Sequence, residues 1–342
     1  VIDSEVIGTG PYRVTAISEN STVDLAKNEY YWDGEVPYDT ITIYLTEDSS
    51  TKATALKSGD VDLAENITTA SDLEELKGNP EYYVSTTAGV RLGNSYFNYN
   101  GVLANDTLRQ AIQYSIDDET MCGVTVGGMY TAGCSVLPSS LPYGYEQLTD
   151  PYAYDLDKAV AVLDEAGIVD TDGDGCRELD GENINLNYIA YSSRNLDEFA
   201  QAVAITLESI GIGCTVTVQD YDTALANQSA GEFDLITSNA IVVPTGDPTG
   251  FLGNFYSGNS GTYGSYANDE YDALYEQLLT ATDEEQRLEL IIEMQQILID
   301  DAATLVHGYY NSTFASRADA VSGADITPID YYWITTDIHP AQ

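Results

Sequence analysis

The chain reads as an α/β protein large enough for two domains. Three observations point there. Residues 184–218 run strand, helix, strand at the spacing of a βαβ unit. Most helical stretches open on Asp, Asn, Ser or Thr and stop at a glycine. The length, 342 residues with 43% hydrophobic content, exceeds one ordinary domain and supports a sizeable core.

The elements follow in order. Residues 1–46 read as β: Tyr12, Val14 and Ala16 alternate with Arg13 and Thr15, and Thr40–Leu45 alternates again. Thr51–Ser58 is expected to be a helix ended by Gly59, and Val61–Leu63 a short strand. A second helix runs from Ser71 to Lys77 and stops at Gly78. One strand ends at Tyr96-Phe97-Asn98. Asn105 or Asp106 then caps a helix with Leu108, Ala111, Ile112 and Ser115 on one face. Asp155 caps the next helix, closed by Gly167. Strand Ile184–Tyr191 leads to a helix whose stripe is Phe199, Val203, Leu207 and Ile210; Gly211 ends it and strand Cys214–Val218 follows. Phe233–Ala240 is a further strand. Asn268 caps a helix with Tyr271, Leu274 and Leu278 inward. Thr282 and Glu285 form a capping box for a last helix with stripe Leu288, Ile291, Ile292 and Leu298, and Leu305–Tyr310 is a strand.

Composition narrows function. There are 56 acidic against 12 basic residues, a net charge of −44. Such a field repels nucleic acid and anionic membrane surfaces. It keeps a protein soluble, and it also attracts cationic ligands. No apolar run of about 18 residues spans a membrane. No basic-then-apolar leader opens the sequence, so a leader is expected to have been removed or to lie upstream. Cysteines 122, 134, 176 and 214 make no C-x-x-C pair; they permit Cys122–Cys134 and Cys176–Cys214 bridges, or four buried thiols. An enzyme reading lacks a constellation: there is no G-x-S-x-G, no H-E-x-x-H, no phosphate loop, and only two histidines, His307 and His339. Paired carboxylates of a secreted hydrolase remain a distant alternative, since acids are everywhere in the chain. Asp170, Asp172, Asp174 and Glu178 carry the oxygen spacing of a calcium loop, with Gly181 at its twelfth position instead of glutamate. A structural calcium is one reading of this segment and a plain turn the other; no cofactor is required.

Several blocks, taken in order, carry a resemblance: Gly8-Thr9-Gly10-Pro11-Tyr12, Lys27–Trp32, Ala55–Asp62, Asn105–Asp117, Asp155–Gly167, Asp247-Pro248 through Leu252, and Tyr266–Leu274. Together they resemble the solute-binding proteins of peptide and nickel ABC importers, bacterial extracellular solute-binding protein family 5. The resemblance implies a two-lobed periplasmic-binding-protein-like fold of the peptide-binding type (class II). Residues 1–95 and 308–342 would form an incomplete first lobe and residues 96–307 an inserted second lobe. Strands near Tyr96 and His307 would cross between them. In the family these blocks lie well inside the protein, so the chain is expected to be a C-terminal fragment.

The implied function is capture of a peptide between the lobes and delivery to a membrane ABC permease. The implied protein is monomeric, extracytoplasmic and either periplasmic or a cell-surface lipoprotein. A metal chelate or an oligosaccharide is the alternative ligand. Arg194, after strand Ile184–Tyr191, could grip a ligand carboxylate with Tyr191 and Ser192 beside it; an ion pair with one of the many acids is the structural alternative. Asp247 sits in the implied cleft loop, where a turn-stabilising role competes with ligand contact. Peptide-binding members carry an aspartate three residues before the Asp-Pro pair; here that position is Pro244, so the usual amine clamp is missing. Trp32 and Trp333 fall in the first lobe, where either could face the cleft, and 27 tyrosines offer further stacking surface.

Overall fold

A computed structural model describes residues 8–46, 48–259, 263–329 and 334–341. In chain order its main elements are β1 (Tyr12–Ser18), β2 (Thr22–Lys27), β3 (Thr40–Tyr44), α1 (Ser49–Ser58), β4 (Leu63–Glu65), α2 (Ala70–Lys77), β5 (Tyr82–Phe97), α3 (Asp106–Ser115), α4 (Asp118–Thr120), β6 (Tyr130–Thr131) and α5 (Leu156–Glu165). Then follow β7 (Glu178–Leu179), β8 (Glu182–Asn183), β9 (Asn185–Tyr191), α6 (Leu196–Ser209), β10 (Gly213–Gln219), α7 (Tyr221–Ala230), β11 (Leu235–Ile241), α8 (Thr249–Leu252), α9 (Asp269–Leu278), α10 (Glu284–Asp300), β12 (Thr304–Arg317), β13 (Val321–Ser322) and β14 (His339–Pro340). The chain divides into two compact units: residues 1–89 with 311–342, and residues 90–310. It passes from one to the other inside β5 and again inside β12.

In the first unit β1, β2 and β3 form an antiparallel sheet. Val14 pairs with Leu25, Leu25 with Ile41 and Val23 with Ile43, which gathers apolar residues on one face. The alternation expected through Ala16 breaks at a bulge between Val14 and Ala16, and Ala16 is exposed. Asp48 caps α1 by accepting from the Thr51 amide at 2.7 Å, and Gly59 (φ 79°) ends it in the left-handed conformation that glycine tolerates best. The strand expected at Val61–Leu63 lies at Leu63–Glu65, where pairing with Phe314–Ser316 of β12 sets it. A small core of Phe314, Val321, Ala324 and Ile326 anchors this unit.

In the second unit the strand order is β10-β9-β11-β5-β12, with β6 also against β12. β9 runs parallel to both β10 and β11, and β11 is antiparallel to β5. The βαβ unit read from sequence is therefore present, with α6 as its crossover. Phe199, Val203 and Leu207 of α6 are fully buried against the sheet. Asn105 caps α3, Asp155 caps α5 and Asn268 caps α9, as expected from their side chains. The capping box expected at Thr282 and Glu285 is displaced. Asp283 is the cap, accepting from the Gln286 amide at 3.0 Å. Ile291 and Leu298 are buried as expected, joined by Leu290, Met294, Gln295 and Ile299, while Leu288 and Ile292 are only half-buried. On α9 the inward residues are Tyr271, Tyr275 and Leu278, with Leu274 half-buried.

Neither disulfide permitted by the spacing forms, and all four cysteines are free. The Cys122 thiol donates to the His307 carbonyl at 3.0 Å, Cys134 to the Tyr145 hydroxyl at 3.5 Å and Cys176 to the Ile184 carbonyl at 3.3 Å. Burial pushes the thiols of Cys122 and Cys214 up to about 12.

Candidate functional site

The site grows from the carboxyl ends of the parallel strands β9, β10 and β11. Tyr191 closes β9. The chain then turns through Ser192 and Ser193 into Arg194 (φ 49°) and Asn195 (φ 60°), which precede α6. Two successive left-handed residues that are not glycine cost about 1–3 kcal/mol each, a strain that Asn tolerates better than Arg. Neighbours hold the turn. The Tyr130 hydroxyl donates to the Arg194 carbonyl at 2.8 Å, Asn239 Nδ2 donates to the Tyr130 hydroxyl at 3.1 Å, and Arg91 Nη1 donates to Asn239 Oδ1 at 3.3 Å. The Arg194 guanidinium lies 5.5 Å from the centre of the Tyr310 ring. Two of the chain's 12 basic residues thus converge on one hydrogen-bonded group. Arg91 escaped the sequence reading because it lies inside a strand, where a buried arginine carries no motif.

A recess of about 110 Å³ opens beside this turn, lined chiefly by Tyr96, Tyr191, Tyr221, Gln228, Asn254 and Tyr263. Register explains the convergence. Tyr96 pairs with Ile236 and Ile236 with Ile189, and Tyr191 is two residues beyond Ile189, so period-2 alternation aims Tyr96 and Tyr191 to one side of the sheet. Helix α7 adds Tyr221 and Gln228, two turns apart on the same face. Tyr221 meets Tyr191 edge-on at 5.2 Å, and Tyr96 sits 4.9 Å from Tyr263 and 5.7 Å from Phe255. Burial raises the Tyr191 hydroxyl to about 12 and pushes Tyr96 well up, so both remain neutral donors.

The other expected residues fall elsewhere. Ser192 is exposed and its hydroxyl bonds Asp197 at 3.3 Å. Asp247 is a turn aspartate: it accepts from the Thr249 amide at 2.8 Å and pairs with Arg287 at 2.6 Å. Desolvation would raise its carboxyl, but the hydrogen bonds from Thr249 and Arg287 outweigh it and hold the group below the usual range. Trp32 lies in the first unit, 77% exposed, beside Tyr31. Trp333 lies outside the described residues. His307 is fully buried: Nε2 meets the Ser95 hydroxyl at 2.8 Å and the Tyr188 hydroxyl at 3.3 Å, and its ring stacks on Phe199 at 4.9 Å. It is a hydrogen-bonded strand histidine. Burial alone lowers its pKa to about 3.

In the acidic loop, one oxygen each of Asp170, Asp172 and Asp174 lies within 4.8 Å of the others, all exposed. Glu178 is turned away, its carboxylate accepting from the Thr171 amide at 2.9 Å and the Thr171 hydroxyl at 3.0 Å. The three aspartates are themselves engaged in turn hydrogen bonds: Asp170 accepts from the Gly173 and Gly175 amides, Asp172 from the Asp174 amide and Asp174 from the Cys176 amide.

The arginine-bearing turn and the polar recess both lie at the carboxyl ends of parallel strands, the end at which open α/β sheets generally take their ligands. The chain belongs to the bacterial extracellular solute-binding proteins, family 5, whose middle-segment profile matches residues 2–263. Among curated relatives it is 24% identical over 346 residues to heme-binding protein A of Haemophilus influenzae, covering 98% of this chain and 61% of the relative. It is 25% identical to the nickel-binding periplasmic protein of Escherichia coli, covering 92% and 61%. It is 24% identical to dipeptide-binding protein DppE of Bacillus subtilis, covering 95% and 59%. The chain therefore spans about three fifths of the length of these relatives. Among solved structures, NikA from Brucella suis in complex with Fe(III)-EDTA superposes with a TM-score of 0.87 at 22% identity, over 97% of this chain and 68% of that one. The oligopeptide-binding protein AppA from Bacillus subtilis, in complex with a nonapeptide, gives 0.82 at 20% identity, over 98% and 67%. These likenesses show the fold, the class II type of periplasmic-binding protein.

Proposed function

We propose that this chain belongs to the solute-capturing component of an ABC importer and that its solute is a peptide. The observation that carries the reading is the placement of Arg194 and Tyr191 at the carboxyl end of β9, beside the recess, in a chain of this family. A guanidinium at such a position recognises a carboxylate through two parallel hydrogen bonds. The strained turn that presents it, tied to Tyr130, holds it in place before the ligand arrives. Relatives named for binding dipeptides and nickel, and structural neighbours holding a nonapeptide or a metal chelate, support a carboxylate-bearing solute.

On this reading the protein works outside the cytoplasm, anchored by lipid or free in a periplasm. It binds as a monomer, closes on the solute, presents it to a permease and releases it unchanged. A closed form is favoured only by as much as the solute binds it better than the open form. The test is calorimetry on the protein at its full natural length, with a tripeptide and its C-terminal amide. Arg194→Ala weakens the free-acid peptide about tenfold or more and leaves the amide unchanged. Equal affinities in wild type and variant contradict the assignment. Binding of a polycarboxylate metal chelate in place of both peptides moves the solute to the chelate alternative.

A further inference from the structure

The second unit's sheet ends on one side at β10, whose strand neighbour is β9. Register shows which backbone groups of β10 are already paired. Gly213 lies opposite Asn185 and its amide donates to the Ile184 carbonyl at 2.9 Å, so the odd-numbered residues from 213 to 219 turn both backbone groups toward β9. Cys214, Val216 and Val218 therefore turn theirs outward, and among the described residues these groups meet no other element. Soluble proteins usually guard such an edge with a charge, a proline or a bulge. Gly213–Gln219 has none of the three, in a chain where one residue in five is charged. Thr215, Thr217 and Val218 are exposed. Every residue from Thr215 to Val218 is β-branched and the strand is uncharged throughout, a composition that pairs readily with another strand.

We propose that β10 is a self-association edge, at which two copies of this chain pair their β10 strands antiparallel about a two-fold axis at Val216. The strand's own sequence names a second copy as the occupant. A two-fold interface demands a self-complementary surface. About Val216 the strand is nearly palindromic: Thr215 falls opposite the partner's Thr217, Val216 opposite the partner's Val216, and Cys214 opposite the partner's Val218. This register puts all three outward-facing residues into hydrogen-bonded pairs, whereas an axis at Thr215 or Thr217 leaves one of them beyond the end of the partner strand. The charges also permit it. The first acid beyond the strand is Asp220, and in this register it lies roughly 27 Å from the partner's Asp220, well past a screening length of about 8 Å. The edge is thus an uncharged strip at which two chains of net charge −44 can touch. Seven residues a side fall well short of the roughly 20–30 of a stable interface, so the pair is weak and reversible. The monomer remains the form that captures solute at low concentration, and the pairing does not depend on which solute is bound.

The experiment is sedimentation velocity on the protein at its full natural length, at micromolar and near-millimolar concentration, in about 0.1 M and about 1 M NaCl. Wild type is expected to dimerise at the higher concentration. The dimer is expected to be tighter in the higher salt, because screening relaxes the repulsion between two chains of net charge −44. Thr215 and the partner's Thr217 form a non-hydrogen-bonded pair, where side chains come closest, so they report the register. Thr215→Glu with Thr217→Glu sets like charges opposite each other and is expected to weaken the dimer by about tenfold or more. Thr215→Lys with Thr217→Glu sets opposite charges there, leaves the net charge at −44 and is expected to dimerise at least as tightly as wild type. Both positions are exposed, so Tm is expected to stay near the wild-type value in each variant. A wild type that stays monomeric in every condition overturns the proposal, whatever else the edge binds. So does a dimer that the double-glutamate variant leaves intact, and so does a lysine–glutamate variant as weak as the double-glutamate one.

Discussion

Ser95 and Tyr96 are adjacent on β5 and point to opposite sides of one sheet, and their hydroxyls have opposite surroundings. The Ser95 hydroxyl meets Tyr188 at 2.5 Å and His307 at 2.8 Å, in a closed group where Thr304 also donates to the Ser95 carbonyl at 2.8 Å. The Tyr96 hydroxyl lies among Asn94, Asn254 and Ser238, on the side of the sheet that carries the recess. Both residues are buried to within 2%. Burial is therefore not what separates the two sides; what each residue faces is. On the closed side, hydrogen bonds fix the strands that carry the arginine turn. On the open side, Tyr96 contributes to the wall of the recess.

The sharpest way to break this comparison is to truncate each side in turn. His307→Ala removes a ring stacked on Phe199 and strips a partner from Ser95, so it should lower the unfolding free energy by about 3 kcal/mol or more in urea titration. Tyr96→Phe should change it by about 1 kcal/mol or less, because it removes one hydroxyl and keeps the ring. Comparable losses in the two variants would remove the distinction.

Acidity sharpens the comparison next. His307 is held neutral, its pKa lowered from 6.5 to about 3 by burial. The unfolded chain binds the extra proton first, so this group's stabilisation is present above about pH 6.5 and is lost as pH falls toward 3. Asp118 works in the opposite sense. Burial, with Asp150 and Asp117 nearby, pushes it up to about 8, so its contribution is lost as pH rises through that value. The two slopes oppose each other between pH 4 and 6.5. In an Asp118→Asn background, stability should rise with pH across that window with a slope near that of one proton, about 1.4 kcal/mol per pH unit. Adding His307→Asn should abolish that rise. A slope that persists without His307 contradicts the assignment.

Smaller effects belong to groups outside the comparison. Asp247→Ala breaks a partly exposed pair with Arg287 and should cost about 1 kcal/mol in the same titration while leaving peptide affinity unchanged, since its carboxylate is already used by the turn. Loss of binding would return Asp247 to the site. Asp172→Asn, on an exposed loop, should shift stability by less than about 0.5 kcal/mol.

Local chemistry was legible in the sequence. Asn105, Asp155 and Asn268 cap helices through their own side chains, and the βαβ spacing around α6 needs only the positions of its apolar residues. Where two neighbours could serve equally, as Thr282 and Asp283, the cap fell one residue later than expected, and the buried face of α10 includes Ile291 and Leu298 but not Leu288 or Ile292. The arginine turn was legible because a cation stands out in an acidic chain. The recess was not. Tyr96, Tyr191, Gln228 and Tyr263 come from separate stretches of chain, and strand register, which no spacing in the sequence reveals, brings them together. The cysteine bridges failed for the same reason: even counts and spacings carry no information on where the thiols point.

The most direct test is mass spectrometry of the small molecule released when the protein, purified at its full natural length from its native host, is denatured. The result expected is an intact peptide with a free carboxylate, present in near-equal amount to the protein. A released solute without a carboxylate, or a cleaved product accumulating over time, would contradict capture by Arg194 and release unchanged.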